Sequence, residues 1–324
     1  MRRAPAVVIP AALIPVALIP VALILVALTA VAAALAGCSS NIEGDRDKPL
    51  VVVTTNILGD VVSNIVGTEA DVKVLMPRNA DPHSFEISAA DAAEISQADL
   101  FISNGLGLEE GITRTADSAR SEGIDLLEVG EHVDPLRYGD GASPGSFDPH
   151  FWTDPDRIDR AAELIGSAVI EDVRDADTTA VRQNTALYRK RVQGISKYMS
   201  EKFNTIPVER RQLVTNHHVF GYLAERFDFT IVGAVVPSGT TLASPSASDL
   251  DQLAHKIRDA RVAAIFVDSS QPDRLAQVLA SEARLPIKVK SLHTESLDEE
   301  GTEAGTYLGM MKSNTDEIVD GLRS

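Results

Sequence analysis

From Asp177 to Phe203 the sequence runs for about 27 residues without a proline and with a single glycine, Gly194. Val181, Leu187, Val192, Ile195 and Met199 fall along it at roughly helical spacing. One helix of that length spans roughly 40 Å at 1.5 Å per residue, so it predicts a rod connecting two lobes. Before it, Leu50–Val53, Ala70–Leu75 and Leu100–Ile102 read as strands. Helical patterns lie between them, at Ile57, Val61 and Ile65 and from Ser88 to Gln97, and a further helix is predicted over Asp156–Ile170. After it, the strand runs Gln212–Thr215, Phe229–Val235, Val262–Val267 and Ile287–Val289 alternate with helices Val219–Phe227, Ser248–Asp259, Pro272–Ala283 and Glu303–Leu322. Such alternation predicts an α/β protein: two lobes with parallel sheets, joined by one long rigid linking helix.

The N-terminus opens Met1-Arg2-Arg3 and continues as an apolar run without acidic residues to Leu35-Ala36-Gly37-Cys38. A basic start followed by an apolar stretch is the form of an export signal. Leu-Ala-Gly-Cys resembles the lipobox of bacterial lipoproteins. Residues 1–37 are therefore expected to be a signal peptide, with Cys38 the lipidated first residue of the mature chain. A retained membrane span with a free Cys38 is the alternative, since about 20 apolar residues cross a bilayer. Residues 39–49 read as a polar tether, 50–176 as the first lobe, 177–204 as the linking helix and 205–324 as the second lobe. Gly139–Phe147 (GDGASPGSF) reads as a flexible loop.

The chain carries 30 basic and 47 acidic side chains. Without the two leader arginines, 28 stand against 47, a net of −19 that repels phosphates and excludes nucleic acid as a partner. Cys38 is the only cysteine, so the body has no disulfide and no thiolate nucleophile. Any metal it holds must be bound by nitrogen and oxygen.

Three histidines follow strands or sit in loops near the lobe junction. His83 lies in Asp81-Pro82-His83, His150 in Asp148-Pro149-His150, and His217 directly after the strand ending at Thr215. Ligands of α/β sheets bind beyond the carboxyl ends of strands, which suits His83 and His217. Proline stiffens the two Asp-Pro-His loops that present His83 and His150, and either Asp81 or Asp148 has the chemistry to accept the second ring N–H and set the tautomer. Spacing alone leaves open whether these are simply surface-loop histidines.

The body resembles the zinc/manganese solute-binding proteins of bacterial ABC importers, the TroA/ZnuA-like family. The likeness is carried by VVVTTNILGDVVSNIVG, DPHSFEISAADAAEISQADLFISNGLGLEE, DPHFWTDP, TNHHVFGYLAERF and ESLDEEGTEAGTYLGMMKSN, and covers residues 50–322. It implies a metal site in the cleft between the lobes, with His83, His150 and His217 as nitrogen ligands. The family's fourth ligand is usually an aspartate; this chain has Glu295 there, one methylene longer. His218, next to His217, ranks second at the third position. Asp268 and His293 are weaker substitutes for Glu295, while His132 and His255 show no ligand context.

The resemblance further implies an exported receptor, lipid-anchored to the outer face of the cytoplasmic membrane. It would capture Zn²⁺ (alternatively Mn²⁺) and deliver it as a monomer to an ABC permease. No Walker A motif occurs, so the ATPase must be a separate cytoplasmic protein. Ordinary imidazoles would make affinity fall below about pH 6.5. A surface adhesin of the same fold and an exported zinc hydrolase are the other classes considered; the chain lacks His-Glu-x-x-His, and four protein ligands leave no open position.

Overall fold

The computed structural model of the protein describes residues 47–139 and 145–323. The expected signal peptide, Cys38, residues 39–46 of the tether and residues 140–144 of the glycine-rich loop lie outside the described residues. Among the described residues no helix is long and apolar enough to cross a membrane.

The first sheet contains β1 (Leu50–Val53), β2 (Asp71–Val74), β3 (Leu100–Ser103) and β4 (Asp125–Glu128), all parallel, in the order β2-β1-β3-β4. The second contains β5 (Gln212–Thr215), β6 (Thr230–Ala234), β7 (Ala264–Asp268) and β8 (Lys288–Leu292), parallel in the matching order β6-β5-β7-β8. Helices α1 (Asn56–Val66), α2 (Ala89–Ile95) and α3 (Thr113–Glu122) belong to the first lobe, followed by α4 (Pro155–Asp172) and α5 (Thr178–Phe203). The second lobe adds α6 (Gly221–Phe227), α7 (Ala247–Ala260), α8 (Arg274–Glu282) and α9 (Tyr307–Leu322). The expected architecture of two parallel α/β lobes is present.

Central strands such as β1 are buried on both faces, so their residues divide by parity between two cores. Val51 and Val53 join a core that also takes in α1, α4, α5 and α9, whereas Leu50 and Val52 face a smaller core with Ile95, Phe101 and Ala116. In β7, Ala264 and Phe266 join the shared core, and Ile265 and Val267 face Leu253, Ile257 and Leu279. One apolar spine therefore runs through both lobes, with a satellite core on the outer face of each sheet.

The 26-residue α5 spans about 39 Å. Asp177 caps it, accepting from the backbone of Thr179 and Ala180. It is no free-standing rod, because Val181, Tyr188, Val192, Ile195, Met199 and Phe203 are buried in the spine. Leu187, expected on the apolar stripe, is 63% exposed. The buried stripe steps from Val181 through Tyr188 to Val192, which leaves position 187 on the outer side.

Two elements went unread in the sequence. Strand β4 offers only Leu126 and Leu127 between charged ends, as suits an edge strand, and α3 buries only Ala116 and Ala119. The last helix begins at Tyr307, later than the predicted Glu303, because Thr306 caps it by accepting from Gly309 N.

Helices α4 and α5 meet at Gly166, where an added Cβ would press on the hydroxyl of Thr185, which itself donates to Val181 O. Gly166→Val is expected to lose about 1–3 kcal/mol of stability in denaturant titrations by overpacking. Gly194→Ala, on an open face of α5, is expected to gain about 0.5–1 kcal/mol in the same assay.

Candidate metal centre

The carboxyl ends of the two sheets supply the segments that carry His83, His150, His217 and Glu295. His83 follows β2 in a turn in which Asp81 Oδ1 accepts from His83 N at 3.0 Å. His150 precedes the short 3₁₀ turn Phe151–Thr153 that leads into α4. His217 stands two residues beyond β5, and Glu295 three beyond β8. All four are buried, His83 at 3% exposure and the others at 1% or less.

Their donor atoms converge, one from each residue lying within 4.8 Å of all the others. His217 Nε2 is 3.0 Å from Glu295 Oε1, His150 Nε2 is 3.6 Å from the same oxygen, and His83 Nε2 is 3.9 Å from Oε2. The Nε2 atoms of His83 and His150 approach to 3.3 Å. Both nitrogens of His217 and both oxygens of Glu295 are nevertheless buried without a properly aligned hydrogen-bond partner. Such atoms are costly to bury, and a shared cation would satisfy them.

The surroundings aim these atoms. His150 Nδ1 lies 2.7 Å from Asp148 Oδ1; a carboxylate only accepts, so Nδ1 carries the proton and Nε2 presents its lone pair. Tyr138 hydrogen-bonds the same carboxylate, and Tyr222 donates from its hydroxyl to Asp148 O at 2.6 Å. Gly221 opens α6 against this group, since a Cβ there would meet Asp148 Oδ2. The His83 ring is hydrogen-bonded to the backbone of Leu108. Leu108 lies in a turn fixed by buried Glu109, which accepts from Thr54 Oγ1 (2.5 Å) and Asn104 N (2.9 Å). Trp152 packs edge-on to His150 with centroids 5.3 Å apart, and its indole N–H donates to Thr294 O at 2.8 Å, beside Glu295.

Of the two candidate tautomer-setting aspartates, Asp148 takes that place and Asp81 does not. Asp81 Oδ2 instead accepts from Thr241 and Gln271. Asp268 lies outside the cluster, where it accepts from the backbone of Ser270, Thr294 and Glu295 and so shapes the Glu295 turn. His218 also stays outside, its backbone N–H donating to Ser238 O at 3.0 Å. His293 pairs with Ser269, and exposed His255 lies 3.8 Å from Asp251. Asn56, Tyr138, Trp152 and Glu109 were not singled out from the sequence, although Trp152, the only tryptophan, stands inside the quoted DPHFWTDP motif.

Burial sets the protonation of the cluster. It pushes His83 down to about 2, helped by His150 and His217, and it pushes His217 down to about 4. It pushes Glu295 up to about 8, with repulsion from Asp268, Asp81 and Asp148 adding to the rise. Near pH 7 the His83 and His217 rings are neutral, and Glu295 keeps a proton that a cation would replace.

A family model described as zinc-uptake complex component A, periplasmic (ZnuA), matches residues 51–321. The metal ABC transporter substrate-binding lipoprotein SsaB of Streptococcus sanguinis is 31% identical over 296 residues, covering 89% of this chain and 94% of the relative. The manganese ABC transporter substrate-binding lipoprotein scaA of Streptococcus gordonii is 30% identical, with the same coverage of both chains. Among solved structures, the periplasmic zinc binding protein TroA from Treponema pallidum superposes with a TM-score of 0.79 at 28% identity, covering 86% of this chain and 100% of that one. The chain thus belongs to the ZnuA family of zinc-uptake complex component A proteins.

Proposed function

We propose that the protein is the extracytoplasmic receptor of a metal importer. It captures one divalent transition metal between His83, His150, His217 and Glu295 and delivers it to an ABC permease driven by a separate ATPase. The observation that carries this is the buried cluster whose donor atoms lie within 4.8 Å of one another while His217 and Glu295 lack hydrogen-bond partners. Relatives named as substrate-binding lipoproteins support anchoring through Cys38.

Zinc is the preferred cargo in this reading. Three imidazoles and one carboxylate suit a four-coordinate zinc ion, whereas manganese favours more oxygen donors and a larger shell. The relatives do not decide the metal, since scaA is named for manganese and TroA for zinc. Glu295 extends the range of the site, because a carboxylate binding through both oxygens supplies a fifth donor. Four protein donors leave no position for an activated water, so the chain is read as a receptor and not as a metallohydrolase.

Competition between equimolar Zn²⁺ and Mn²⁺ for the chelator-stripped protein, read by elemental mass spectrometry, is expected to give one zinc per chain. His217→Ala is expected to abolish that uptake; one manganese per chain would overturn the choice of metal, and no tight metal would overturn the receptor. Asp148→Asn, which removes the acceptor that fixes His150 Nδ1–H, is expected to weaken zinc binding about 10–100-fold in chelator competition.

Near neutral pH acid sensitivity follows Glu295 and not His83 or His217, whose rings burial already keeps neutral. A group protonated in the free protein must lose its proton to bind, so affinity rises with pH while that proton is present and levels off above the group's pKa. With Glu295 at about 8, zinc affinity is expected to rise roughly tenfold per pH unit up to about pH 8 and then flatten. The dependence thus begins above the pH of about 6.5 expected from ordinary imidazoles. Calorimetry in buffers of different ionisation enthalpy is expected to count close to one proton released per zinc at pH 7, and none from Glu295→Gln.

A further inference from the structure

Every donor of the cluster is buried, so a cation cannot reach or leave it unless part of the surrounding wall moves. The wall is uneven. Behind Glu295, the segment after β8 is laced to the first lobe. Asn56 Nδ2 donates to Ser296 Oγ at 2.7 Å, and Asn56 Oδ1 accepts from Leu297 N at 2.8 Å. The Arg78 guanidinium donates to the carbonyls of Asp298 (2.6 Å) and Gly305 (2.9 Å), and Asn79 N donates to Leu297 O at 3.1 Å. With the Trp152–Thr294 bond, these contacts make the Glu295 turn part of the first lobe's framework.

A different arrangement borders His217. A cavity of about 230 Å³ has His217 in its wall, together with Asn216, Thr241 and Gln271. Asn216 Oδ1 is buried there without a partner. Thr241 lies between β6 and α7 and Gln271 between β7 and α8, both half-buried, and residues 242–244 beside Thr241 are exposed. These two second-lobe side chains converge on one first-lobe carboxylate: Asp81 Oδ2 accepts from Thr241 Oγ1 at 2.5 Å and from Gln271 Nε2 at 3.0 Å. The other oxygen of Asp81 accepts from the backbone N–H of His83. One half-exposed carboxylate thus ties two second-lobe loops to the turn that carries a cluster histidine.

We propose that Asp81, Thr241 and Gln271 form the latch on the metal's path, through which the cation passes by way of the His217 cavity when the two donors release Asp81. The inference rests on the receptor reading and deepens it. Opening on this side breaks two hydrogen bonds from neutral donors in a half-exposed place, together with the long contacts from Tyr138 Oη to Gly239 O (3.4 Å) and His218 O (3.5 Å). Opening behind Glu295 breaks at least five short ones, of 2.6–2.9 Å, all of them buried or partly buried. The released Asp81 carboxylate stands beside the cavity-lining Thr241 and Gln271, where its charge attracts the incoming cation. His83, His150 and Glu295 keep their places while His217 becomes accessible.

Stopped-flow measurement of zinc uptake, and of zinc loss to a chromogenic chelator, tests this. Binding can be followed through Trp152, the sole tryptophan, packed against His150. Thr241→Val and Gln271→Leu each remove one donor to Asp81. Each is expected to speed both association and dissociation roughly tenfold, the worth of one hydrogen bond to a carboxylate, while the dissociation constant shifts less than about threefold. Thr241→Ser keeps the hydroxyl and is expected to exchange zinc at the wild-type rates. Unchanged rates in both variants would overturn the latch, as would faster dissociation alone with an equal loss of affinity. If wild-type protein takes up no zinc or manganese, the receptor reading itself fails; if metal binds and exchange ignores these residues, only the latch does.

Discussion

Four polar side chains meet at one point inside the protein, two of them, His217 and Glu295, with their polar atoms unsatisfied, and the rest of the structure is organised around tolerating that. An orphaned buried polar atom costs free energy comparable to a lost hydrogen bond, and a buried charge costs more. The cost is limited here by keeping the cluster near neutral: His83 and His217 are held deprotonated and Glu295 protonated by the same burial. In the proposed function a divalent cation would reverse the balance, engaging the lone pairs of His217 and Glu295 and displacing the carboxyl proton. The site is poised for a cation because it is poorly satisfied without one.

Holding such a cluster in place demands an anchored frame, and the spine of α1, α4, α5 and α9 provides it. Each sheet lays one face on that spine and keeps a separate core on its outer face. The carboxyl ends of the strands then meet across the lobes. Around the cluster stands a further layer of carboxylates with distinct tasks. Asp148 orients His150, Asp268 shapes the Glu295 turn, and Asp81 bridges the His83 turn to the second lobe. Their combined negative field also attracts a cation.

Much of the frame was legible in the sequence because its cause is local. The apolar runs of β1, β3 and β7 and the proline-free stretch of α5 announce themselves by periodicity and length. Strand β4 escaped because an edge strand needs few apolar residues, and α3 because it buries only two alanines. Leu187 was misplaced because the spine selects Tyr188 instead, a choice made by packing over a long distance. The histidines stood out through the repeated Asp-Pro-His and the strand-end position of His217, whereas Glu295 emerged only from the family resemblance. The two Asp-Pro-His copies look equivalent as text yet differ in space. Asp148 turns to its imidazole, while Asp81 turns outward to Thr241 and Gln271, more than 150 residues away in the chain. No local pattern encodes such contacts, nor the bond from Trp152 to Thr294.

The central claim is that three imidazoles and one carboxylate jointly hold the cargo. X-ray absorption at the zinc edge of the loaded protein examines that shell directly. The predicted spectrum shows about three imidazole nitrogens, with their outer-ring multiple scattering, and one or two oxygens at about 2.0–2.2 Å. A shell of oxygens with one imidazole or none would contradict it.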